Sequence, residues 1–373
     1  MKKSLIAAAL LGTFAASAFA APSVTLYGRV DTGLAYTHKN LDNDTSSTNT
    51  VSMESGFSTS NLWGLKGTED IGNAKVGFVL ESGFNSDDGA SSDKESRLFG
   101  REAQVNVSGA YGTLYAGRFA SIASDSGSIG YLTDVSAFPN GFGVVGTQRG
   151  STGSAYARYD NALAYQTPTF GGLQAAAMYS FKANSQTETD KTFRENSSFA
   201  DRYAAAGLRY KAGKAAVVLA GDYTLYSNST HAGLDNGYSV ILGGNYDFGV
   251  AKAFAKVTYF DNQVNVLDSF DLISDSRDLK KAEALKGWGA ELGTNVPAFG
   301  GNFLAAVGYR DAKDVDDGSY KFKRWNAAVG YSYAFSKRTS VYAAAGYAQE
   351  KSNAKEDRKA SAAQAGFGLV HKF

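Results

Sequence analysis

The chain ends on Ala365-Gly366-Phe367-Gly368-Leu369-Val370-His371-Lys372-Phe373, a strand-like pattern that stops at an aromatic residue. Alternate positions from Ala365 to Phe373 are apolar except for His371, which is typical of a β-strand with one apolar face. Chain ends are usually polar and frayed unless the fold holds them. We therefore expect a strand that is paired along both edges, as in a β-barrel whose first and last strands join.

The same alternation recurs in residues 24–34, 252–260 and 325–335, and in similar segments throughout the chain. Seven tight turns separate such segments, at residues 70–73, 110–112, 168–172, 212–214, 247–249, 297–301 and 336–338. Eight long polar loops separate the others, at residues 37–59, 85–96, 120–157, 183–200, 227–236, 262–285, 312–322 and 351–360.

Turns and loops alternate along the chain, which predicts about sixteen antiparallel strands with short turns at one end and long loops at the other. Each strand has about ten residues, the length that a tilted strand needs to cross a membrane. We predict an all-β fold, a 16-stranded antiparallel transmembrane β-barrel. A soluble β-sandwich would show the same alternation, but it does not explain so many strands.

Residues 1–20 have the features of a secretory signal peptide. Lys2 and Lys3 precede an apolar stretch at residues 5–16, and Ala18-Phe19-Ala20 supplies small residues for cleavage. A transmembrane anchor is the alternative, but the apolar stretch is short for one. Residues 21–373 are then expected to form a single β-barrel domain.

Charge and cysteine count argue against several classes of function. Removing Lys2 and Lys3 from 37 basic residues leaves 35, against 36 acidic ones. A chain with this balance offers no electrostatic case for a nucleic-acid partner. Cysteine is absent, so disulfides and thiolate metal sites are excluded, and we expect no cofactor.

Five stretches of the chain resemble, in family order, the general porins of Gram-negative outer membranes, and most of all the betaproteobacterial type. They are VTLYGR at 24–29, WGLKGTEDIG at 63–72, YGTLYAGR at 111–118, RYDNALAYQTP at 158–168 and VHKF at 370–373. The resemblance implies a multi-pass outer-membrane protein that forms a homotrimer. Each barrel would hold a water-filled pore, narrowed by the third long loop folded into the lumen.

The function implied by this resemblance is passive diffusion of ions and small hydrophilic solutes, without catalysis. Implied partners are outer-membrane lipids, lipopolysaccharide and the outer-membrane assembly machinery, which would read the terminal Phe373 as a signal. The charged run at residues 351–359 is interpreted as a solvated loop able to bind lipopolysaccharide phosphates or divalent ions weakly. A substrate-specific channel of the same fold and a barrel enzyme are the alternative functions.

General porins place basic wall residues opposite acidic residues of the third loop, and the resemblance assigns Arg29 and Arg158 to that wall. Arg101 matches a third basic position, but its alternation parity groups it with lipid-facing residues. Either a β-bulge turns Arg101 towards the lumen or Arg97 takes its place. The family usually carries a further arginine at the position of Leu62. Its loss should weaken anion preference, with Lys66 compensating in part.

The third loop, at residues 120–157, contains Asp125 and Asp134 as its acidic residues. We predict that both face the wall arginines, although a single loop aspartate is often only solvated or caps a turn. Arg118 shares its parity with lipid-facing residues. It is predicted to contact an acid in the second loop of a neighbouring subunit, as a trimer latch.

Two motifs suggest other chemistry and are set aside. Residues 141–146 match GxGxxG, but they lie inside the longest loop and not between a strand and a helix, so we interpret these glycines as permitting a tight inward fold. His38, His231 and His371 are too scattered for a metal triad or a hydrolase.

Overall fold

The computed structural model describes residues 23–41, 47–93, 95–138, 142, 157–186, 194–229, 231–267, 284–353 and 358–373. The predicted signal peptide and the GxGxxG glycines lie outside these ranges. Within them the strands are β1 (Ser23–Leu41), β2 (Ser47–Ser55), β3 (Leu62–Asp70), β4 (Ala74–Gly83), β5 (Glu102–Gly109), β6 (Gly112–Ala120), β7 (Arg158–Gln166), β8 (Leu173–Ser180), β9 (Arg202–Ala212), β10 (Ala215–Leu225), β11 (Gly237–Asp247), β12 (Lys252–Gln263), β13 (Leu285–Ala298), β14 (Gly301–Asp314), β15 (Lys321–Ala334), β16 (Thr339–Ser352) and β17 (Arg358–Lys372).

One antiparallel sheet contains all of these strands, and it closes on itself. The last strand pairs with the first, from Arg29 opposite Lys372 to Leu41 opposite Ala360. The backbones of Gly28 and Phe373 also exchange two hydrogen bonds, at 3.2 and 3.0 Å. The predicted joining of the first and last strands into a barrel is therefore confirmed.

The sheet has seventeen strand segments, but β2 and β3 occupy a single place in the wall. Both pair with the same edge of β1, β3 opposite residues 23–29 and β2 opposite residues 32–40. They are two parts of one wall strand, interrupted at residues 56–61. The prediction of sixteen strands is confirmed in this sense.

The predicted first loop at residues 37–59 is wrong in its extent. β1 continues to Leu41, and β2 occupies residues 47–55 as the other arm of a hairpin in the same sheet. Residues 47–51 are exposed without alternation, because this part of the hairpin does not have one face against lipid and the other against the lumen.

Side chains alternate between an exposed apolar outer face and a buried or polar lumen face. Leu34, Leu242 and Val329 are exposed on the outside, at 44, 50 and 59%. Phe367 and Phe373 of the terminal stretch also lie on the outer face, with exposures of 60 and 46%. No helix in the ranges given above is long and apolar enough to cross a membrane. The helical turns that the structure describes there are short, at Leu132–Asp134 and Val264–Leu267.

Closure of the barrel requires a glycine at position 33. A Cβ built there would fall against the carbonyl oxygen of Phe367 and lie 2.9 Å from the Cα of Gly368. The first and last strands therefore approach each other at a point where no side chain fits.

Gly33→Val should destabilise the barrel by about 1–3 kcal/mol, the usual cost of overpacking. The measurement is the urea midpoint at which the compact, heat-modifiable band disappears on electrophoresis. Leu34→Val changes the neighbouring, outward-facing residue and serves as the control. Equal midpoints for the two variants would contradict the proposed close approach.

Candidate functional site

Residues 121–138 leave β6 and turn into the barrel. Ile122, Tyr131, Leu132 and Val135 are 0% exposed, although they belong to a loop. Their partners are residues on the inner wall, such as Tyr203, Val218 and Ile241. Burial of this apolar surface favours the inward position of the third loop by the hydrophobic effect.

The inner wall makes room for this loop, and for Phe57 beside it, with one glycine on every second strand from β9 to β17. We call these five residues the glycine track: Gly207, Gly243, Gly293, Gly330 and Gly366. Cβ atoms built on them would lie 2.8 Å from Ile122, 2.9 Å from Val135, 2.9 Å from Ala137, 3.1 Å from Phe138 and 2.9 Å from Phe57. Ala220, Ala306 and Ala344 occupy lumen positions of β10, β14 and β16 and are also buried. Small side chains on the wall thus set how closely the loop can approach.

Polar contacts tie the start of the loop to the wall. The Ser128 backbone N–H and hydroxyl donate to the Glu102 carboxylate at 2.6 and 2.5 Å. The Ser121 and Tyr203 hydroxyls lie 2.7 Å apart. Tyr131 packs under the guanidinium of Arg209, which is 4.6 Å from its ring centroid.

Further along, the loop covers a buried ion pair. Lys256 and Glu291 are 3.4 Å apart with side chains 0 and 1% exposed, and the Ser136 hydroxyl donates to Glu291. The Asn245 side-chain amide also donates to the carbonyl of Asp134 at 2.6 Å. A buried pair of this kind is costly to break, because the remaining charge would have no partner.

An aromatic cluster of Phe57, Phe138, Phe142 and Tyr342 holds the far part of the loop. The Phe142 ring lies 5.7 Å from that of Phe57 and 4.9 Å from that of Phe138. The Phe142 backbone N–H donates to the carbonyl of Phe57 at 2.8 Å. The interruption between β2 and β3 therefore has a role, since it brings Phe57 to the loop.

Asp31 organises this interruption. Its carboxylate accepts hydrogen bonds from the Tyr342 hydroxyl at 2.7 Å and from the backbone N–H groups of Ser58 and Thr59 at 2.8 and 2.7 Å. The Asp31 side chain is fully buried, and these three donors satisfy its carboxylate in the absence of water contact.

The wall of β1–β7 carries the predicted arginines. Arg101 lies 2.5 Å from Glu81 Oε1, and its backbone N–H donates to the Glu81 carbonyl at 3.1 Å. Glu102 is the regular partner of Glu81 in the sheet, so Arg101 and Glu102 together lie opposite the single residue Glu81. This β-bulge turns the Arg101 side chain towards Glu81. Arg97 is elsewhere, with Asn184 at 2.6 Å and Asp160 at 3.5 Å.

Arg29 and Arg158 have surroundings that differ from those of Arg101. Arg29 donates to the Ser60 carbonyl at 2.8 Å. Among the contacts of the described ranges, neither Arg29 nor Arg158 forms an ion pair. Leu62 stands opposite Arg29 in the sheet and is 5% exposed. Lys66 is exposed, with its ammonium 5.0 Å from the Tyr27 ring centroid.

Asp134 does not match the predicted pairing with the wall arginines, whereas the predicted role of Asp125 stays a prediction. Asp134 binds Lys211 at 2.6 Å, on β9, so this part of the prediction is corrected. Asp125 is 9% exposed. Sequence reasoning missed Glu81 and Glu102. The parity of Glu81 with the lumen face of β4 was the available signal, whereas nothing in the sequence indicated that Glu102 would bind Ser128.

Arg118 contacts acids of its own chain. It lies 2.5 Å from Asp160 and 3.9 Å from Asp93, and its Nε donates to the Gly100 carbonyl at 2.9 Å. The register between β6 and β7 shifts next to Arg118, between Gly117 and Phe119. Its role as a trimer latch stays a prediction.

Comparison with known proteins identifies the family. Residues 7–353 match the sequence profile described as Gram-negative porin. The chain belongs to this porin family. An outer membrane porin protein of Bordetella pertussis is 35% identical over 397 residues, covering 100% of both chains. Outer membrane porin protein 32 of Delftia acidovorans is 31% identical, over 92% of this chain and 88% of its own.

Solved structures agree with this assignment. An anion-selective porin from Comamonas acidovorans superimposes with a TM-score of 0.64 at 25% identity, covering 94% of this chain and 100% of its own. The trimer form of OmpT from Vibrio cholerae matches in fold, with a TM-score of 0.62 at 16% identity, covering 95% of this chain and 100% of its own. The porin is therefore a multi-pass protein of the outer membrane, a channel and not an enzyme.

Gly243→Val should displace the third loop from the wall, because the new side chain would collide with Val135. A displaced loop fluctuates in the lumen, so open-channel current noise in a planar bilayer should rise several-fold. Leu242→Val alters the outward-facing neighbour and should leave the noise unchanged. Equal noise in both variants would contradict the role of the glycine track.

Proposed function

We propose that the porin passes ions and small hydrophilic solutes through a constriction between the third loop and the wall of β1–β7, with a modest preference for anions. Packing of the loop on β9–β17 supports this, since it leaves the arginine-bearing wall beside the open part of the lumen. The observation that carries the proposal is that, in the described part of the chain, neither Arg29 nor Arg158 forms an ion pair with a carboxylate.

The acids on this wall are paired or buried. Glu81 pairs with Arg101, whereas Glu102 and Asp31 bind neutral donors and keep their charge, but they are only 2 and 0% exposed. Arg29 and Arg158 are half-buried, so they are the charges of this wall that a solute in the lumen meets most directly. In a narrow pore with low-dielectric walls, a few such charges govern which ions pass.

The preference should be modest for two reasons. Glu81 offsets Arg101, and Leu62 stands where the family usually has an arginine. Lys66 compensates in part for that missing arginine, because its exposed ammonium lies beside the Tyr27 ring. The anion-selective Comamonas relative is consistent with the sign of this preference.

Arg158→Gln should shift the reversal potential towards cation selectivity, because it removes a positive charge that borders the constriction. The measurement is the zero-current potential across a tenfold salt gradient in a planar bilayer. Arg338→Gln removes the same charge from an exposed position near a short turn. A matching shift in Arg338→Gln would argue against a localised constriction.

The same measurement on Leu62→Arg should move the potential in the opposite direction, since the new guanidinium would stand opposite Arg29. An unchanged potential would show that Leu62 does not line the constriction.

The functional unit is proposed to be a homotrimer, supported by the family resemblance and by the trimeric form of the Vibrio cholerae channel. Unheated protein should migrate at trimer mass in SDS electrophoresis and convert to monomer on heating. A band at monomer mass without heating would contradict this.

Phe373 is proposed to act in assembly. Phe373→Ala should reduce the amount of folded porin in the outer membrane several-fold, while channels that do insert keep their conductance. Phe335→Ala removes another exposed aromatic, near the last short turn, and is the control. Equal losses in the two variants would reject a special role for Phe373.

A further inference from the structure

A polar niche of about 390 Å³ lies at the loop end of the wall, between β3–β7 and the second long loop. It forms where two segments leave the sheet. The interruption at residues 56–61 borders it on one side, and residues 84–93, which follow β4, border it on the other. Sites that bind small molecules usually have volumes of roughly 300–1,000 Å³. The niche is therefore large enough for a small solute.

Two glycines let the second loop lie directly against the wall and give the niche its concave shape. A Cβ built on Gly83 would fall against the Ser92 hydroxyl and lie 3.3 Å from the Arg101 side chain. A Cβ built on Gly100 would fall against the Asp93 carboxylate. Larger residues at these two positions would push the loop away from the wall. The loop therefore closes one side of the niche.

The end of the niche next to the constriction is basic. Arg101, Arg118 and Arg158 line it, and the first two have carboxylate partners, Glu81 and Asp160. In the described part of the chain, Arg158 forms no ion pair, and its Nε–H is buried without a hydrogen-bond acceptor. Buried donors are nearly always satisfied, so this one takes its acceptor from the lumen, as water or as an oxygen of a solute.

The other end of the niche has neutral hydrogen-bonding side chains. Ser60, Asn85 and Ser92 line it, and Asn85 is half-buried there. Within the described ranges, none of these three side chains has a hydrogen-bond partner, so their hydroxyl and amide groups face the niche unused. Serine and asparagine both donate and accept, as the hydroxyl groups of a solute do. Phe84 is the one residue of the described lining with a large apolar side chain.

We propose that this niche binds a polyhydroxylated monocarboxylate, a sugar acid, before the solute enters the constriction. Arg158 binds the carboxylate, because a guanidinium and a carboxylate form two parallel hydrogen bonds. Ser60, Asn85 and Ser92 bind the hydroxyl groups. One guanidinium without an ion-pair partner matches a single negative charge, which favours a monocarboxylate over a phosphate dianion. The inference rests on the proposed function, since Arg158 also borders the constriction.

Both ends of the niche are needed for this preference. An apolar carboxylate would place carbon atoms against the three neutral side chains, which would lose hydrogen bonds to water without replacement. A neutral polyol would satisfy those side chains but would leave Arg158 without a charged partner. A solute that carries a carboxylate and several hydroxyl groups satisfies both ends at once.

Block of single channels in KCl tests this preference with three matched solutes. D-gluconate carries a carboxylate and several hydroxyl groups. Hexanoate has the same carbon chain and carboxylate without the hydroxyls, and sorbitol has the hydroxyls without the carboxylate. Gluconate should give a saturable block at concentrations about tenfold lower than hexanoate, and sorbitol should give none. Equal block by gluconate and hexanoate would overturn the proposal.

A double variant, Asn85→Ala/Ser92→Ala, removes neutral partners without changing the charge of the niche. Gluconate block should weaken about tenfold, to the level of hexanoate, and hexanoate block should stay the same. Asn228→Ala/Ser198→Ala removes the same side-chain types from exposed loop positions and is the control. Heat-modifiable mobility confirms that each variant is folded. Equal losses in the two double variants, or for the two solutes, would contradict the assignment of the niche.

Reversal potentials in KCl separate this proposal from the proposed function. Asn85→Ala/Ser92→Ala should leave the potential unchanged, because it removes no charge. If Arg158→Gln shifts the potential but gluconate blocks no better than hexanoate, the niche proposal alone falls. If gluconate is preferred but Arg158→Gln leaves the potential unmoved, the proposed constriction falls instead. Stronger block by glucose 6-phosphate than by gluconate would reject the assignment to a carboxylate.

Discussion

The close approach of the third loop to the glycine track is the constraint on which the rest of the channel depends. Protein interiors are packed too densely to absorb even one additional methyl group without a shift. Cβ atoms on Gly243 and Gly293 would lie 2.9 Å from loop residues, so their absence sets where the loop rests. The position of the loop then determines which part of the lumen stays open to solutes.

Apolar packing alone would not fix the loop along its whole length, and polar contacts complete its attachment. Ser128 binds Glu102 at the start, and Ser136 binds the buried Lys256–Glu291 pair in the middle. Phe142 joins the aromatic cluster that Asp31 supports from the first wall strand. These attachments hold Glu102 and Asp31 buried in the wall, while Arg29 and Arg158 stay half-buried. The same residues therefore hold the loop in place and contribute to the charge of the pore wall.

Much of the wall could be predicted from sequence, because period-two alternation follows directly from one face against lipid and one against the lumen. The strand count and the pairing of the last strand with the first both depend on that pattern. β2 was missed because its first half, residues 47–51, is exposed without alternation. Alternation groups Arg101 with lipid-facing residues, but a β-bulge adds one residue there and turns its side chain towards Glu81. Such bulges leave no pattern in a single sequence.

Contacts between the loop and the wall are tertiary, which explains why the pairing of Asp134 with Lys211 was not foreseen. Absence of native cysteine allows this geometry to be tested by cross-linking. In Ala137→Cys/Gly293→Cys the two Cβ positions are 2.9 Å apart, and a small shift brings them within the range of a disulfide. The account predicts that this disulfide forms readily in the folded porin. It also predicts that Ala137→Cys/Gly64→Cys stays reduced, because position 64 meets Tyr27 and Leu80 and not the loop. Free thiols in the first pair, or a disulfide in the second, would contradict the placement of the loop.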